Sequence, residues 1–370
     1  MTPDIEVFVL VYNDGNIATR AIESVLDQRG PNLILTILEN GSNDNTRYVV
    51  NRYTKDKRVR VITNERNMRS VMGAKYLQTS LTPYLSLLFS DDYYLPNRIQ
   101  TMLESIGENA AVFSNNLYVN QDGDSVEPPN YIASVVDISL FSIEEHLRKF
   151  FLSGNSLHPC SMLIRSEIYR KLGGFPEYLH RLGDMVFFTK LLSSYPVRII
   201  SDQLQAITVW SNLRNESANN IKNRSHVTLE RDNFLSLYAQ DPILSKIERI
   251  FGSHLDSIEL DGEPERLWFL GNMTLIHGDK VLRDFGFRCL YRAIDLDVSR
   301  IDRNLMSCIG MTASEYIAHL SAFYENSYFR HVTFREYARQ FEVLRKIYGL
   351  YHRLKSPGFL ALDRKIIRKK

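Results

Sequence analysis

The chain has 370 residues, of which 44% are hydrophobic and 24% are charged, and its formal net charge is +2. A chain of this length and composition can bury a large core, so we expect one large globular domain with an appendage, or two domains. The small net charge argues against a nucleic-acid-binding protein, and no nucleic-acid partner is expected.

The cysteines and the apolar runs argue against two further classes. Cys160, Cys289 and Cys308 lie far apart without a CxxC pair, so the sequence indicates neither a disulfide framework nor a zinc knuckle. No apolar run approaches the roughly 18 to 20 residues that span a bilayer, and no signal-peptide pattern precedes the first apolar run. We therefore expect a cytoplasmic protein.

Strand and helix patterns alternate over roughly the first quarter of the chain. Four apolar, β-rich runs predict strands: 5–11, 33–38, 59–62 and 84–89. Helical spacing between these runs predicts three helices: 17–26, 43–53 and 70–78. This alternation predicts a parallel α/β sheet, and strands that are apolar throughout agree with burial under helices on both faces.

Polar side chains follow three of these strands. Tyr12 and Asn13 come after the first, the turn 39–42 (Glu-Asn-Gly-Ser) after the second, and Asp91 with Asp92 after the fourth. Ligands of open α/β sheets bind outside the carboxyl ends of the strands. The sequence therefore predicts a ligand site at this edge of the sheet.

The loop sequences argue against a dinucleotide-binding site and favour a metal-binding site. The turn after the first strand contains one glycine, and the chain has neither a GxGxxG nor a GxxxxGK[ST] motif, so a glycine-rich phosphate loop is missing. Mg²⁺ or Mn²⁺ commonly combines one or two carboxylates with phosphate oxygens. Asp91 and Asp92 suit such a cation, which could hold a diphosphate.

Four segments in order carry a family resemblance: VLVYN (9–13), LENGSND (38–44), FSDDYYLP (89–96) and RLGDMVFF (181–188). Together they resemble inverting glycosyltransferases of family 2, in particular the spore-coat polysaccharide type, over roughly residues 4–210. The resemblance implies the GT-A fold, a Rossmann-like and mostly parallel sheet with helices on both faces. It implies transfer of a sugar from a nucleoside diphosphate sugar to a hydroxyl group.

The resemblance also implies roles in holding the donor. Asp91 would bind the ribose hydroxyls, and Asp92 would coordinate Mn²⁺ or Mg²⁺ between the two phosphates. Glu39 and Asn40 stand where the family often has two aspartates that contact the nucleobase. The amide at Asn40 leaves the choice of base open, because it can both donate and accept.

Four further residues would contact the nucleotide or the metal. Val11 and Tyr12 would lie beside the nucleotide, although shaping the loop is an alternative role for the residue pair 12–13. Lys75 would reach the diphosphate, with Arg66 and Arg69 as the alternatives. His226 would supply a third metal ligand, as in some relatives, and its alternative is a solvated helix residue.

Asp184 matches the general base of the family, which removes a proton from the acceptor hydroxyl. Its alternative role is an N-cap of the following helix. His158 lies in a segment, 154–161, where acceptor-side residues of the family often occur, and its alternative is an ordinary structural histidine. The glycine before Asp184, where many relatives have a glutamate, departs from the family pattern.

Beyond residue 210 the pattern changes from alternation to long helical spacing. We expect a nucleotide-sugar-binding and catalytic domain over 1–210 and a mainly helical region over 211–370, with helices near 227–238, 263–276 and 334–351. Residues 344–370 contain nine Lys/Arg and one Asp among apolar residues. This segment predicts contact with the inner face of an anionic membrane, or else a solvated packing helix.

The sequence and its family resemblance thus predict a metal-dependent inverting glycosyltransferase with a glycan or lipid-linked acceptor. The resemblance also implies a role in bacterial surface polysaccharide synthesis. Two alternatives remain open. A sugar nucleotidyltransferase shares much of the architecture but usually has a glycine-rich, basic loop after the first strand. A noncatalytic nucleotide-sugar or glycan-binding module would keep the acid pair and tolerate loss of Asp184.

Overall fold

The computed structural model describes residues 4–30, 32–68, 75–127, 137–210, 221–251, 260–275, 280–308, 311–318 and 320–321. The chain divides into two compact units between Leu237 and Tyr238. The domain boundary predicted at residue 210 stays a prediction. The two units are described separately below.

The first unit is built on one mixed sheet, which has eight strands among the described residues. Its strands are β1 (Ile5–Val11), β2 (Leu33–Glu39), β3 (Val59–Thr63), β4 (Tyr84–Phe89), β5 (Tyr93–Tyr94), β6 (Ala111–Val119), β7 (Met162–Arg165) and β8 (Val197–Thr208). Their order across the sheet is β3-β2-β1-β4-β7-β6-β8-β5. The four strands predicted from the sequence are present and parallel, whereas β7 runs antiparallel to both β4 and β6.

The first unit also contains the helices α1 (Ala18–Leu26), α2 (Thr46–Asn51), α3 (Arg98–Ile106), α4 (Ile143–Leu152), α5 (Ser166–Lys171), α6 (Gly183–Ser194) and α7 (Ile221–Ser236). Helix α1 packs against the sheet with one apolar face. Its buried residues are Ala18, Ala21, Ile22 and Val25, which recur at the spacing of one helix face. The α/β architecture predicted from the sequence is therefore confirmed.

The second unit is helical where it is described. It contains α8 (Ile247–Phe251), α9 (Glu263–Leu275) and α10 (Lys280–Cys308). A Cβ atom at Gly286 would lie 2.8 Å from the carbonyl oxygen of Gly271, so two glycines allow α9 and α10 to pack closely. The predicted helical appendage is confirmed, whereas the predicted helix at 334–351 and the basic segment 344–370 lie outside the described residues.

No helix in the described part of the chain is both long and apolar enough to cross a membrane.

Arg98 joins three strands of the first unit from α3. Its guanidinium is fully buried and stacks 3.9 Å from the centroid of the Tyr94 ring. It donates to the carbonyl oxygen of Cys160 just before β7 (2.7 Å) and to the side-chain oxygen of Gln205 on β8 (3.2 Å). A further bond reaches Ser86 on β4 (3.3 Å). Arg98 therefore fixes the start of β7 against its neighbours.

Replacing Arg98 by alanine should lower the free energy of unfolding by about 2 to 4 kcal/mol, because it leaves buried oxygens on three strands without their donor. Chemical denaturation measures the change. The matched control is Arg60→Ala, at an exposed position on β3, for which we expect a change within about 0.5 kcal/mol. Equal losses in the two variants would contradict the role of Arg98.

Candidate active site

The loops after β1, β2 and β4 are joined by backbone hydrogen bonds at one edge of the sheet. The N–H of Asn40 donates to the carbonyl of Val11 (2.9 Å), and the N–H of Ser90 donates to that of Leu10 (3.1 Å). Val11 is fully buried and Tyr12 is exposed. The nucleotide contacts predicted for Val11 and Tyr12 stay predictions.

Asn13 shapes the loop after β1. Its φ angle is +52°, a left-handed conformation that asparagine tolerates better than most residues. Its N–H donates to the hydroxyl of Ser42 (3.0 Å), and its side-chain oxygen accepts from the N–H of Asn43 (3.0 Å). The first two loops of the site are thus held together by Asn13.

The side chain of Glu39 is fully buried and is bonded within its own loop. One carboxylate oxygen accepts from the N–H of Ser42 (2.6 Å), and the other pairs with Nε of Arg47 (2.9 Å). These bonds direct the carboxylate toward the protein. Its predicted contact with the nucleobase stays a prediction.

Asn40 is also buried and bonded to the loop after β3. Its side-chain oxygen accepts from the N–H of Met68 (2.9 Å) and the amide of Asn64 (3.2 Å). A Cβ atom at the neighbouring Gly41 would collide with the backbone of Arg66, and Gly41 has φ +72°. The two loops therefore approach closely only because residue 41 is glycine. The nucleobase contact predicted for Asn40 stays a prediction.

The acid pair after β4 consists of one buried and one partly exposed carboxylate. Asp92 is only 3% exposed; its Oδ1 accepts from the N–H of Thr208 (3.0 Å) and its Oδ2 from the thiol of Cys160 (3.5 Å). The partly buried Asp91 accepts from the indole N–H of Trp210 at Oδ2 (2.8 Å). Residues 208–210, at the end of β8, therefore position both acids.

The charges of the two adjacent carboxylates repel each other, and the positive charge of Arg20 offsets part of this effect on Asp92. Burial raises the pKa of the Asp92 carboxyl well above its ordinary value, and the adjacent charge of Asp91 raises it further. Burial likewise raises the pKa of the Cys160 thiol, which agrees with a protonated thiol that donates to Asp92. A cation beside Asp92 would offset this repulsion.

His158 lies against the acid pair. One ligand atom from each of Asp92, His158 and Cys160 lies within 4.8 Å of the other two, so these residues could surround a metal ion. Burial lowers the pKa of His158 to about 4, which leaves the imidazole neutral and able to act as a ligand. The sequence suggested His158 for the acceptor and missed Cys160, whose only signal was its place two residues after the histidine.

Asp184 lies in the first turn of α6. Its Oδ2 accepts from the amide of Asn155 (2.7 Å) and its Oδ1 from the N–H of Met185 (2.8 Å). Burial raises the pKa of Asp184 to about 6, the two hydrogen bonds oppose the rise, and the charge of Glu230 adds to it. A carboxylate with this pKa can take up a proton near neutral pH.

One short segment contacts both halves of the site. Asn155 donates to Asp184, and Cys160 donates to Asp92. Five residues of chain span at most roughly 18 Å. Asp184 and Asp92 are therefore each contacted by a residue of the same short segment, and Asn155 is a contact of Asp184 that the motifs did not reveal.

The two remaining predicted residues are not brought to the acid pair by any described contact. Lys75 is exposed, with Nζ 5.5 Å from the centroid of the Tyr76 ring, and its diphosphate contact stays a prediction. His226 belongs to α7, but its side chain lies outside the described residues, as do residues 211–220. Its role as a metal ligand stays a prediction.

Solved structures share the fold of this chain. The crystal structure of S. aureus TarS, residues 1–349, aligns with a TM-score of 0.52 at 17% identity and covers 79% of this chain and 88% of that chain. The same values hold for the TarS structure in complex with UDP-GlcNAc. This likeness supports the GT-A fold predicted from the sequence.

Sequence comparison agrees. An uncharacterized glycosyltransferase of Rickettsia typhi is 27% identical over 201 residues, 52% of this chain and 59% of that protein. A putative teichuronic acid biosynthesis glycosyltransferase of Bacillus subtilis is 30% identical over 129 residues, 34% of this chain and 51% of that protein. The chain thus spans little more than half the length of these two relatives. Residues 6–173, somewhat less than half of the chain, match the family described as Glycosyl transferase family 2, and this match confirms the family resemblance predicted from the motifs.

Proposed function

We propose that the chain is a metal-dependent inverting glycosyltransferase, which transfers a sugar from a nucleoside diphosphate sugar to a hydroxyl group. The observation that carries this proposal is the segment 155–160, which contacts Asp184 at one end and Asp92 at the other. A base and a diphosphate-binding acid pair at one site are the two parts that such a transfer requires.

The acid pair fits a divalent cation, Mn²⁺ or Mg²⁺. Asp92 has a raised pKa because its charge is buried beside that of Asp91, and a cation would stabilise both carboxylates. We propose Asp92 as the ligand, with the neutral His158 at its side, and Asp91 for the ribose. When bound, the cation supplies positive charge that stabilises the departing diphosphate.

Asp184 would act as the base. The amide of Asn155 and the N–H of Met185 each hold one carboxylate oxygen, so the orientation of the group is fixed before the acceptor arrives. It would remove the proton of the acceptor hydroxyl as that oxygen attacks the anomeric carbon opposite the departing diphosphate. A single displacement of this kind inverts the configuration of the sugar.

The relatives suggest the substrates to test first. A structural neighbour was solved with UDP-GlcNAc, and one relative is named for teichuronic acid biosynthesis. We propose UDP-GlcNAc as the first donor to test and a glycan or lipid-linked hydroxyl of a bacterial surface polysaccharide as the acceptor. Attachment to the inner face of the membrane through residues 344–370 would bring the enzyme to such an acceptor.

Replacing Asp92 by asparagine should abolish the Mn²⁺-dependent stabilisation of the protein by UDP. The substitution keeps the shape and the bond from Thr208 but removes the charge, so the melting temperature without ligand should change little. Thermal shift with UDP, with and without Mn²⁺, measures the effect, which is worth about 2.7 kcal/mol for the wild type at a hundredfold excess over Kd.

The control for the acid pair is Asp122→Asn, at an exposed position, which should keep the full Mn²⁺-dependent shift. An undiminished shift in Asp92→Asn would rule out Asp92 as a metal ligand.

Replacing Asp184 by asparagine should leave UDP binding near normal and reduce turnover of UDP-GlcNAc by about 10²- to 10⁴-fold, because the base is lost. Release of UDP from UDP-GlcNAc measures turnover. In the wild type, kcat/KM should fall as the pH drops below about 6, where Asp184 takes up a proton. Wild-type turnover in the variant would rule out Asp184 as the base.

A further inference from the structure

Glu230, on α7, is bonded to the turn that precedes α6. Its Oε1 accepts from the N–H of His180 (2.7 Å), and its Oε2 accepts from the N–H groups of Arg181 and Leu182 (both 2.8 Å). The side chain is only 8% exposed. The buried carboxylate of Glu230 thus accepts hydrogen bonds from the backbone N–H groups of three consecutive residues, 180–182.

One of these bonds provides an acceptor for the N-cap residue of α6. Leu182 stands at the N-cap of α6 and its side chain makes no capping bond. The first N–H groups of a helix have no partner within the helix, and a negative charge near them is stabilising. Glu230 provides both an acceptor and a charge here, from a helix some fifty residues later in the chain.

The turn leads directly into the predicted base. Asp184 is the second residue of α6, two residues after Leu182. Any movement of residues 180–182 therefore moves the first turn of the helix and the carboxylate on it. The charge of Glu230 also acts on Asp184 and raises its pKa; the other ionisable groups of the turn are His180 and Arg181.

We propose that Glu230 is a positioning residue for Asp184. It holds the turn 180–182 by hydrogen bonds and places a negative charge next to the start of α6. This inference rests on the proposed function, in which Asp184 is the base. Glu230 lies beyond the family match at 6–173 and beyond the catalytic region of 1–210 predicted from the sequence. The site would therefore depend on a helix outside both.

Two variants separate the effect of the charge of Glu230 from the effect of its side-chain length. Glu230→Gln removes the charge and turns one acceptor into a donor that faces N–H groups. Glu230→Asp keeps the charge but is one methylene shorter. The control is Glu104→Gln, an exposed residue of α3 bonded to Gln100, which removes the same charge elsewhere.

The readouts are the pH profile of UDP release from UDP-GlcNAc, the titration of the Asp184 carboxyl by ¹³C NMR, and amide hydrogen exchange at residues 180–182. In Glu230→Gln we expect faster exchange, kcat lower by about 10- to 100-fold, and titration of Asp184 at lower pH than in the wild type. In Glu230→Asp we expect faster exchange and lower kcat, with the titration near that of the wild type. Glu104→Gln should match the wild type in all three.

Wild-type exchange and titration of Asp184 in Glu230→Gln would overturn the inference. If exchange and titration change as expected but the wild type releases no UDP from any nucleotide sugar, the positioning contact stands and the proposed function fails. Should Glu230→Gln fail to fold, Glu230→Asp decides, and wild-type exchange with wild-type kcat in that variant would overturn the inference.

Discussion

A buried carboxylate is unfavourable unless N–H, O–H or S–H groups donate to it or a cation offsets its charge, and this constraint organises the site. Asp92 receives donors from Thr208 and Cys160, and Asp184 receives them from Asn155 and Met185. Both acids nevertheless have raised pKa values. The fold therefore keeps two incompletely compensated carboxylates, and their joint purpose would be to hold a cation and to accept a proton.

Contacts between residues far apart in the sequence determine where these acids lie. The parallel strands β1, β2 and β4 bring their loops to one edge, and the antiparallel strand β7 brings the segment 155–160 to the same place. Arg98, buried among β4, β7 and β8, holds the carbonyl of Cys160. The position of the thiol against Asp92 therefore depends on the buried guanidinium group of Arg98.

The sequence predicted the local parts of this arrangement well. Strands β1 and β4 have the predicted bounds because their apolar runs are continuous and end in polar turns, and the motifs marked the acid pair and Asp184. The bonds from Asn155, Cys160 and Trp210 to these acids span 29, 68 and 119 residues. No periodicity or short motif carries such distant contacts, which arise only when β7 and β8 join the sheet.

The most direct test is a crystal structure with Mn²⁺ and a bound donor or its nucleoside diphosphate, recorded with anomalous scattering from manganese. The proposed arrangement predicts a manganese peak beside the Asp92 carboxylate and the diphosphate, with the carboxylate of Asp184 facing the side of the pocket where an acceptor hydroxyl would enter. A manganese peak away from Asp91 and Asp92, or an Asp184 side chain enclosed by protein on the far side of the diphosphate, would contradict it.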